Sequence, residues 1–411
     1  MLIKIDPALV QNYITTLATY GAYGETGVWR TAYSPEWVQA TNQYASWCEE
    51  AGLTVNRDSV GNTFGVLKGA EPGGSIASGS HIDTQRPGGK YDGALGALAA
   101  LIAIRSLKEQ FGTPKRTLEA IAFCEEEGSR FPTAHYWGSS AIIGRASAQD
   151  PEAMKDFEGE TMANAMRSIG LDPSKIKDAK RNDIDTFLEL HVEQGPVLEH
   201  AGFPVAVVDA ITGIRHYKVT LFGVQNHAGA FPMDLRRDPM AGFAEIASGL
   251  IDTAHRMGRP AVTTVGRIHV EPNFPAVVPA SVTFFVDARH PHAASRDELY
   301  KKQAALIKEV AERRGLQFTV EVLLDHAPCP SDPGLVTMLQ KVCEQQGVRA
   351  MTMASGAGHD SQQMAEIAKV AMIFVRSKDG RSHTQEEFSS IEDIVEGIRV
   401  LAGGMYQLAY E

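Results

Sequence analysis

Cysteine is scarce. The 411 residues hold four, at Cys48, Cys124, Cys329 and Cys343. They are scattered, with no CxxC or zinc-finger spacing, which excludes a disulfide scaffold and a zinc ribbon and makes a reducing cytoplasm the expected compartment. Long apolar runs are missing too. No segment reaches transmembrane length, and the opening MLIKIDPALVQ lacks the apolar stretch of a signal peptide, so no membrane partner is expected. Positive charge is in deficit, with 39 basic against 50 acidic side chains and a formal net charge of -11. Such a surface repels phosphate backbones and argues against nucleic acid as a partner. There is no internal repeat, low-complexity segment or long linker. What remains is an ordinary globular composition, 44% hydrophobic and 22% charged. The chain is longer than one hydrophobic core usually serves, so two domains are expected.

Along the chain, Ser34-Pro35-Glu36 has the form of a helix start, and Trp37, Thr41, Tyr44, Trp47, Cys48 and Ala51 follow with helical spacing up to Gly52. Leu53 to Leu67 reads as two short strands turning near Asn62. Ile76 to Ser80 is a short buried strand running into His81. Ala94 to Leu107 is continuously apolar, as a helix covering a sheet would be, and Thr117 to Cys124 is another buried strand. Ala146 to Asn182 is charged and reads as a helical, peripheral excursion. Thr186 to Glu193 is strand-like again. Strands alternating with covering helices predict an α/β fold with a mostly parallel central sheet.

The texture changes near Ile214. Strands are expected at His216–Phe222, Val262–Val270, Val282–Arg289 and Phe318–Leu324, with helices at Met240–Met257 and Leu299–Arg314. That order, βαββαβ, is the ferredoxin-like split-βαβ sandwich. The expected organisation is therefore a catalytic domain at 1–212 and 328–411, interrupted by an inserted α+β domain at 213–327. The α/β pattern resumes with a helix at Leu335–Gln346, a strand at Val370–Val375 and a last helix from Ile391 to about Tyr410.

In open α/β sheets the chemistry sits beyond the carboxyl ends of the strands. Five residues fall at strand ends or in the loops after them: His81, Asp92, Glu127, His191 and His383. Two divalent ions about 3.5–4 Å apart need a bridging carboxylate, flanking histidine and carboxylate ligands, and a water between them. This set supplies those groups, although any one of the five, taken singly, reads equally well as a surface or satisfied core side chain.

Seven ordered motifs, SGSHIDT, GGKYDGALG, EEEGSRF, ELHVEQG, NHAGAFPMDLRRDP, SGAGHD and SHTQEEF, closely resemble the hydantoinase/carbamoylase branch of the M20 metallopeptidase clan. That branch includes N-carbamoyl-L-amino acid hydrolases, β-ureidopropionases and allantoate amidohydrolases. The resemblance covers nearly the whole chain. It implies a zinc-aminopeptidase-like catalytic domain, an inserted lid and dimerisation domain, and two divalent ions per subunit (Zn, Mn, Co or Ni). Asp92 would bridge them, His81 and Glu127 would each bind on one side, and His191 and His383 would complete the pair. The resemblance makes Glu126 the general base, with Glu125 structural, and Asp83 a support that hydrogen-bonds His81. His227 would stabilise the developing oxyanion from the partner subunit of a homodimer. Arg289 would grip the substrate carboxylate in bidentate fashion, with Asn273 and Gln194 as further substrate contacts.

The reaction implied is hydrolysis of a linear amide-type C–N bond in an N-carbamoyl or ureido acid. The alternative is an aminoacylase or dipeptidase of the same clan, and a metal-free binding protein is disfavoured because all five ligand positions are filled. Two stretches depart from the branch's pattern. Pro272-Asn273-Phe274-Pro275-Ala276-Val277-Val278-Pro279 has Ala276 where the branch usually carries a second asparagine, and Phe274 adds an apolar ring. Thr84-Gln85-Arg86-Pro87 also differs from the more typical loop. Both bear on which substrate is taken.

Overall fold

The computed structural model describes residues 2–146 and 149–411. The chain divides into two compact units. One comprises Met1–Asp209, Ser331–Met353 and Gly358–Glu411, and the other Ala210–Pro330 with Ala354–Ala357.

The first unit is built on a mixed sheet. Its strands lie in the order Val205–Ile211, Lys369–Val375, Ile184–Val192, Ser75–His81, Leu118–Phe123, Thr63–Leu67 and Thr54–Arg57. The four strands from Lys369–Val375 to Leu118–Phe123 are parallel, and the flanking pairs are antiparallel. Parallel strands need cover on both faces, so their sequences lose polar alternation. Ser75–His81 and Leu118–Phe123 accordingly are buried at every position. The alanine-rich helix Ala94–Phe111 is buried over most of its surface and shares a core with Ile394, Ile398, Leu401 and Met405 of the last helix, Ile391–Ala409.

Local signals set several boundaries. Ser34 caps Pro35–Glu50, its side chain accepting the Trp37 amide. Asp58 builds the turn between Thr54–Arg57 and Thr63–Leu67 by accepting the amides of Val60, Gly61 and Asn62. The expected helical excursion at 146–182 is only partly helical. It contains a seven-residue helix, Met162–Ser168, and a 3-10 turn at Pro173–Ala179. Its Met154, Met162, Met166 and Ile176 join the core, so burial of those four side chains holds it where helical periodicity is weak. Ser147 and Ala148, within that stretch, lie outside the described residues.

The second unit carries four antiparallel strands in the order Val262–Glu271, Ser281–His290, Gly213–Phe222 and Gln317–His326, with helices Pro239–Met257 and Ala293–Arg313. In chain order this is βαββαβ. Ser281–His290 alternates strictly: Val282, Phe284, Val286 and Ala288 are buried, and Ile246, Leu250, Leu299 and Ile307 of the two helices share their core. Asp287 and Arg289 therefore lie on the opposite face. No helix among the described residues is long and apolar enough to cross a membrane.

One buried arginine locks the loop after Ser75–His81. Arg30 is 1% exposed. Its Nε donates to the Ile82 carbonyl at 2.8 Å, and its Nη1 to the carbonyls of Leu17 and Tyr20 at 2.9 and 3.0 Å. Burial pulls the guanidinium down to about 10, with Asp83 acting the other way. Replacing Arg30 by Met would remove a donor from three carbonyls, of which that of Leu17 keeps the Tyr20 amide, and we expect Arg30→Met to lose about 2 kcal/mol of stability. Urea denaturation measures this directly, and an unchanged midpoint would show that the clamp contributes nothing.

Candidate metal centre

Because the four central strands are parallel, their carboxyl ends share one edge of the sheet. His81 closes Ser75–His81, Glu125 to Glu127 follow Leu118–Phe123, His191 lies near the end of Ile184–Val192, and His383 follows Lys369–Val375. Asp92 arrives on the loop entering Ala94–Phe111.

These residues converge. The Asp92 Oδ1 lies 3.2 Å from His191 Nε2 and 3.7 Å from His81 Nε2. Its Oδ2 lies 3.2 Å from His383 Nε2, which is 3.5 Å from Glu127 Oε1. The two oxygens of Asp92 thus face two different ligand sets. His81, Asp92 and His191 form one group that could hold an ion, and Asp92, Glu127 and His383 form another. Glu126 Oε2 sits 3.8 Å from His81 Nε2.

The imidazoles are aimed. His81 Nδ1 faces the Asp83 carbonyl at 3.0 Å, and His191 Nδ1 faces the Val192 carbonyl at 3.0 Å. A carbonyl can only accept, so each ring carries a proton on Nδ1 and turns its Nε2 edge toward Asp92. The partner that fixes the His81 tautomer is therefore the backbone of Asp83, since its carboxylate is 3.8 Å away. That carboxylate instead accepts the backbone amides of Glu126 and Glu127, at 3.2 and 3.3 Å, and so shapes the loop that presents both glutamates. Glu125 is fully buried and accepts the amides of Arg130 and Phe131.

Gln194 donates its amide to Asp92 Oδ2 at 2.9 Å, leaving its Oε1 without a partner among the described residues. Three supports had no assigned role in the sequence. Glu387 accepts the amides of Tyr91 and Asp92 and the hydroxyl of Ser382, tying the Asp92 loop to the His383 loop. The Ser382 hydroxyl also lies 2.8 Å from Asp92 Oδ2, so its one proton is within reach of either carboxylate. Gln85 donates to Glu127 Oε2 at 2.5 Å. Their motifs were visible, but polar side chains in loops carry no periodicity that would single them out.

The electrostatics are those of a site short of positive charge. Burial, then the neighbouring Glu127, Asp360, Asp83 and Asp92, push the Glu126 carboxyl well above its ordinary range. Burial also works against an ionised Asp92, but its contacts with His191 and His383 prevail and hold it well below the usual range. Burial lowers His191, and the hydrogen bond to Asp92 overrides it, raising the ring to about 9. For His383 the Asp92 hydrogen bond comes first, and the result is again about 9. Glu127 Oε1 is buried without a hydrogen-bond partner among the described residues. An unpaired carboxylate oxygen beside an aimed imidazole is the signature of a cation site.

The second unit holds the remaining expected residues. His227 is exposed, on a two-residue strand paired with Val277–Val278. Its Nδ1 accepts the amides of Gly229 and Ala230, both at 3.0 Å, so Nε2 carries the proton and is a donor. The Ala228 amide donates to the Ala276 carbonyl, which places the Asn273–Ala276 loop beside His227. Asn273 has φ +56, and Phe274 is 70% exposed. Arg289 is pinned by Asp287, with Nε and Nη2 at 2.9 and 2.8 Å from its two oxygens, while Nη1 donates to the Gly356 carbonyl. One edge of the guanidinium fork is thus already engaged by Asp287.

Residues 77–407 match the profile of Peptidase family M20/M25/M40. The chain belongs to the M20 family. Among its M20 relatives, allantoate amidohydrolase of Escherichia coli (strain K12) is 40% identical over 403 residues, covering 98% of each chain. The N-carbamoyl-L-amino acid amidohydrolase of Geobacillus stearothermophilus is 38% identical over 398 residues, covering 96% of each. The crystal structure of an amidase of the hydantoinase/carbamoylase family from Burkholderia multivorans superposes with a TM-score of 0.93 at 31% identity, covering 100% of this chain and 99% of that one. Within the M20 family the chain sits with the hydantoinase/carbamoylase amidases.

Gly93, next to Asp92, has φ +62, and a Cβ there would lie 2.2–2.3 Å from three atoms of the His81 ring. Gly93→Ala should displace that ring and cost about 2 kcal/mol through backbone strain and the clash. Thermal denaturation measures it, and an unchanged melting temperature would mean that the ring moves aside freely.

Proposed function

We propose that the protein is a two-metal amidohydrolase that cleaves a linear C–N bond of a ureido carboxylate. The observation carrying this reading is the two-sided Asp92, with His81 and His191 facing one oxygen and His383, beside Glu127, facing the other. The donor set suits divalent cations: three imidazoles aimed through Nε2 and two carboxylates, one with an unpaired buried oxygen. His81, Asp92 and His191 would hold one cation, and Asp92, Glu127 and His383 the other. When bound, such a pair acidifies a water and polarises a carbonyl.

The protein's own groups supply the rest. Glu126 stands beside His81 and Glu127, its Oε2 3.8 Å from His81 Nε2, and is the carboxylate that takes the water's proton and delivers it to the leaving nitrogen. The water oxygen bonds to the carbonyl carbon first, the C=O electron pair moving onto oxygen, and the C–N bond breaks when that oxyanion collapses and the leaving nitrogen takes the proton from Glu126. His227, with its proton on Nε2, is a donor of the kind that stabilises an oxyanion. Arg289, whose guanidinium is held in place by Asp287 and the Gly356 carbonyl, supplies the positive charge that a substrate carboxylate calls for. Asn273 adds a further polar contact, whereas Gln194 is committed to Asp92 through its amide nitrogen.

The relatives are named for allantoate and for N-carbamoyl-L-amino acids, and both compounds are carboxylates bearing a ureido group. Exposed Phe274 and Ala276 at the loop beside His227 favour a bulkier or more apolar substituent than such acids usually carry. We place the protein in the cytoplasm as a homodimer joined through the second unit, which lets His227 serve a partner's site. A monomer in analytical ultracentrifugation would remove that role.

Glu126→Gln should keep both cations and lose at least about 100-fold in turnover, the scale of a general base. Ammonia release from N-carbamoyl and diureido acids, measured beside free amino acid release from N-acyl amino acids and dipeptides, checks rate and class together. Wild-type turnover in the variant would exclude Glu126 as the base, and preference for dipeptides would move the protein to the peptidases of its family.

A further inference from the structure

We propose that Gln85 is a positioning residue for the cation held by Asp92, Glu127 and His383, because it decides which oxygen of Glu127 is left to bind. This rests on the two-cation reading above. The Gln85 side-chain amide lies 2.5 Å from Glu127 Oε2. An ionised carboxylate only accepts, so the amide nitrogen is the atom that faces it. With Oε2 taken, the unpartnered Oε1 is the one turned toward His383 Nε2, 3.5 Å away. Without the amide, the Glu127 side chain could rotate and exchange its two oxygens. With it, one oxygen is committed before any cation arrives.

The loop bearing Gln85 is fixed at both ends. Thr84 donates its amide to the Arg30 carbonyl at 3.0 Å, and Gly88 exchanges two backbone hydrogen bonds with Val28, at 2.9 and 3.0 Å. At its tip the Arg86 guanidinium lies between two aromatic rings, 5.3 Å from the centroid of Trp29 and 4.9 Å from that of Phe157. That stack borders a cavity of about 250 Å³ that Arg130 and Asp156 also line. Cation–aromatic contacts of this kind stiffen a loop without using its backbone.

Supports of this kind are worth about 10–100-fold in metal affinity. Gln85→Leu keeps the side chain's bulk and removes the donor. In Zn2+ titration of metal-free protein against a chromophoric chelator, wild type should take up two ions per chain. Gln85→Leu should also take up two, one of them about 10-fold or more weaker and the other unchanged. Gln85→Ala should repeat the result, and equal melting temperatures of the metal-free proteins would exclude a folding defect. Two ions bound with wild-type affinity by both variants would overturn the proposal, as would an equal loss at both sites. Failure of the wild type to bind any ion would overturn the two-cation reading itself.

Discussion

The structure depends on keeping several buried carboxylates within a few ångströms of one another. Asp83, Asp92, Glu126 and Glu127 crowd the carboxyl edge of the central sheet, and Glu387 and Asp360 stand close behind. Like charges taken out of water repel strongly, and no fold accumulates them without opposing charge. Asp83 and Glu387 are offset by backbone amides, which they use to hold the two loops that carry Glu126, Glu127 and Asp92. Asp92 is offset by histidines on both sides, and Glu127 by one amide donor and one histidine. Among the described residues, Glu127 Oε1 is left buried beside His383 without a hydrogen-bond partner.

Placing these groups requires backbone that most residues avoid. Glu125, Gln194 and His383 all have φ between +50 and +58, the left-handed region that costs an ordinary side chain of order 1–3 kcal/mol. Each has an identifiable anchor. Glu125 is held by the Arg130 and Phe131 amides, and Gln194 by Ser377 and Asp92. His383 follows Ser382, which is itself tied to Asp92 and Glu387. Strain at three of the loops leaving the parallel strands is a further sign that the edge is built for chemistry.

Much of this was legible in the chain. The α/β class followed from buried strands alternating with covering helices, and Ser34-Pro35 marked a helix start that the structure keeps. Burial patterns as regular as that of Ser281–His290 leave little ambiguity. Less was readable where no periodicity exists. The strand Val205–Ile211 is a short apolar run whose type depends on its neighbours, and the helix Pro7–Thr19 mixes polar and apolar residues too freely to announce itself. At the site, resemblance supplied the candidate residues, and geometry added what holds them. The backbone carbonyls that set the tautomers of His81 and His191 have no sequence signal, since any residue offers one. The links from Gln85, Ser382 and Glu387 join segments far apart in the chain, so only the folded arrangement reveals them.

Anomalous diffraction from crystals grown with Mn2+ or Zn2+ tests the central claim most directly. Two peaks per chain are predicted, one on each side of Asp92, the first bounded by His81 and His191 and the second by Glu127 and His383. A single peak remote from Asp92, or no bound ion at saturating metal, would contradict the account.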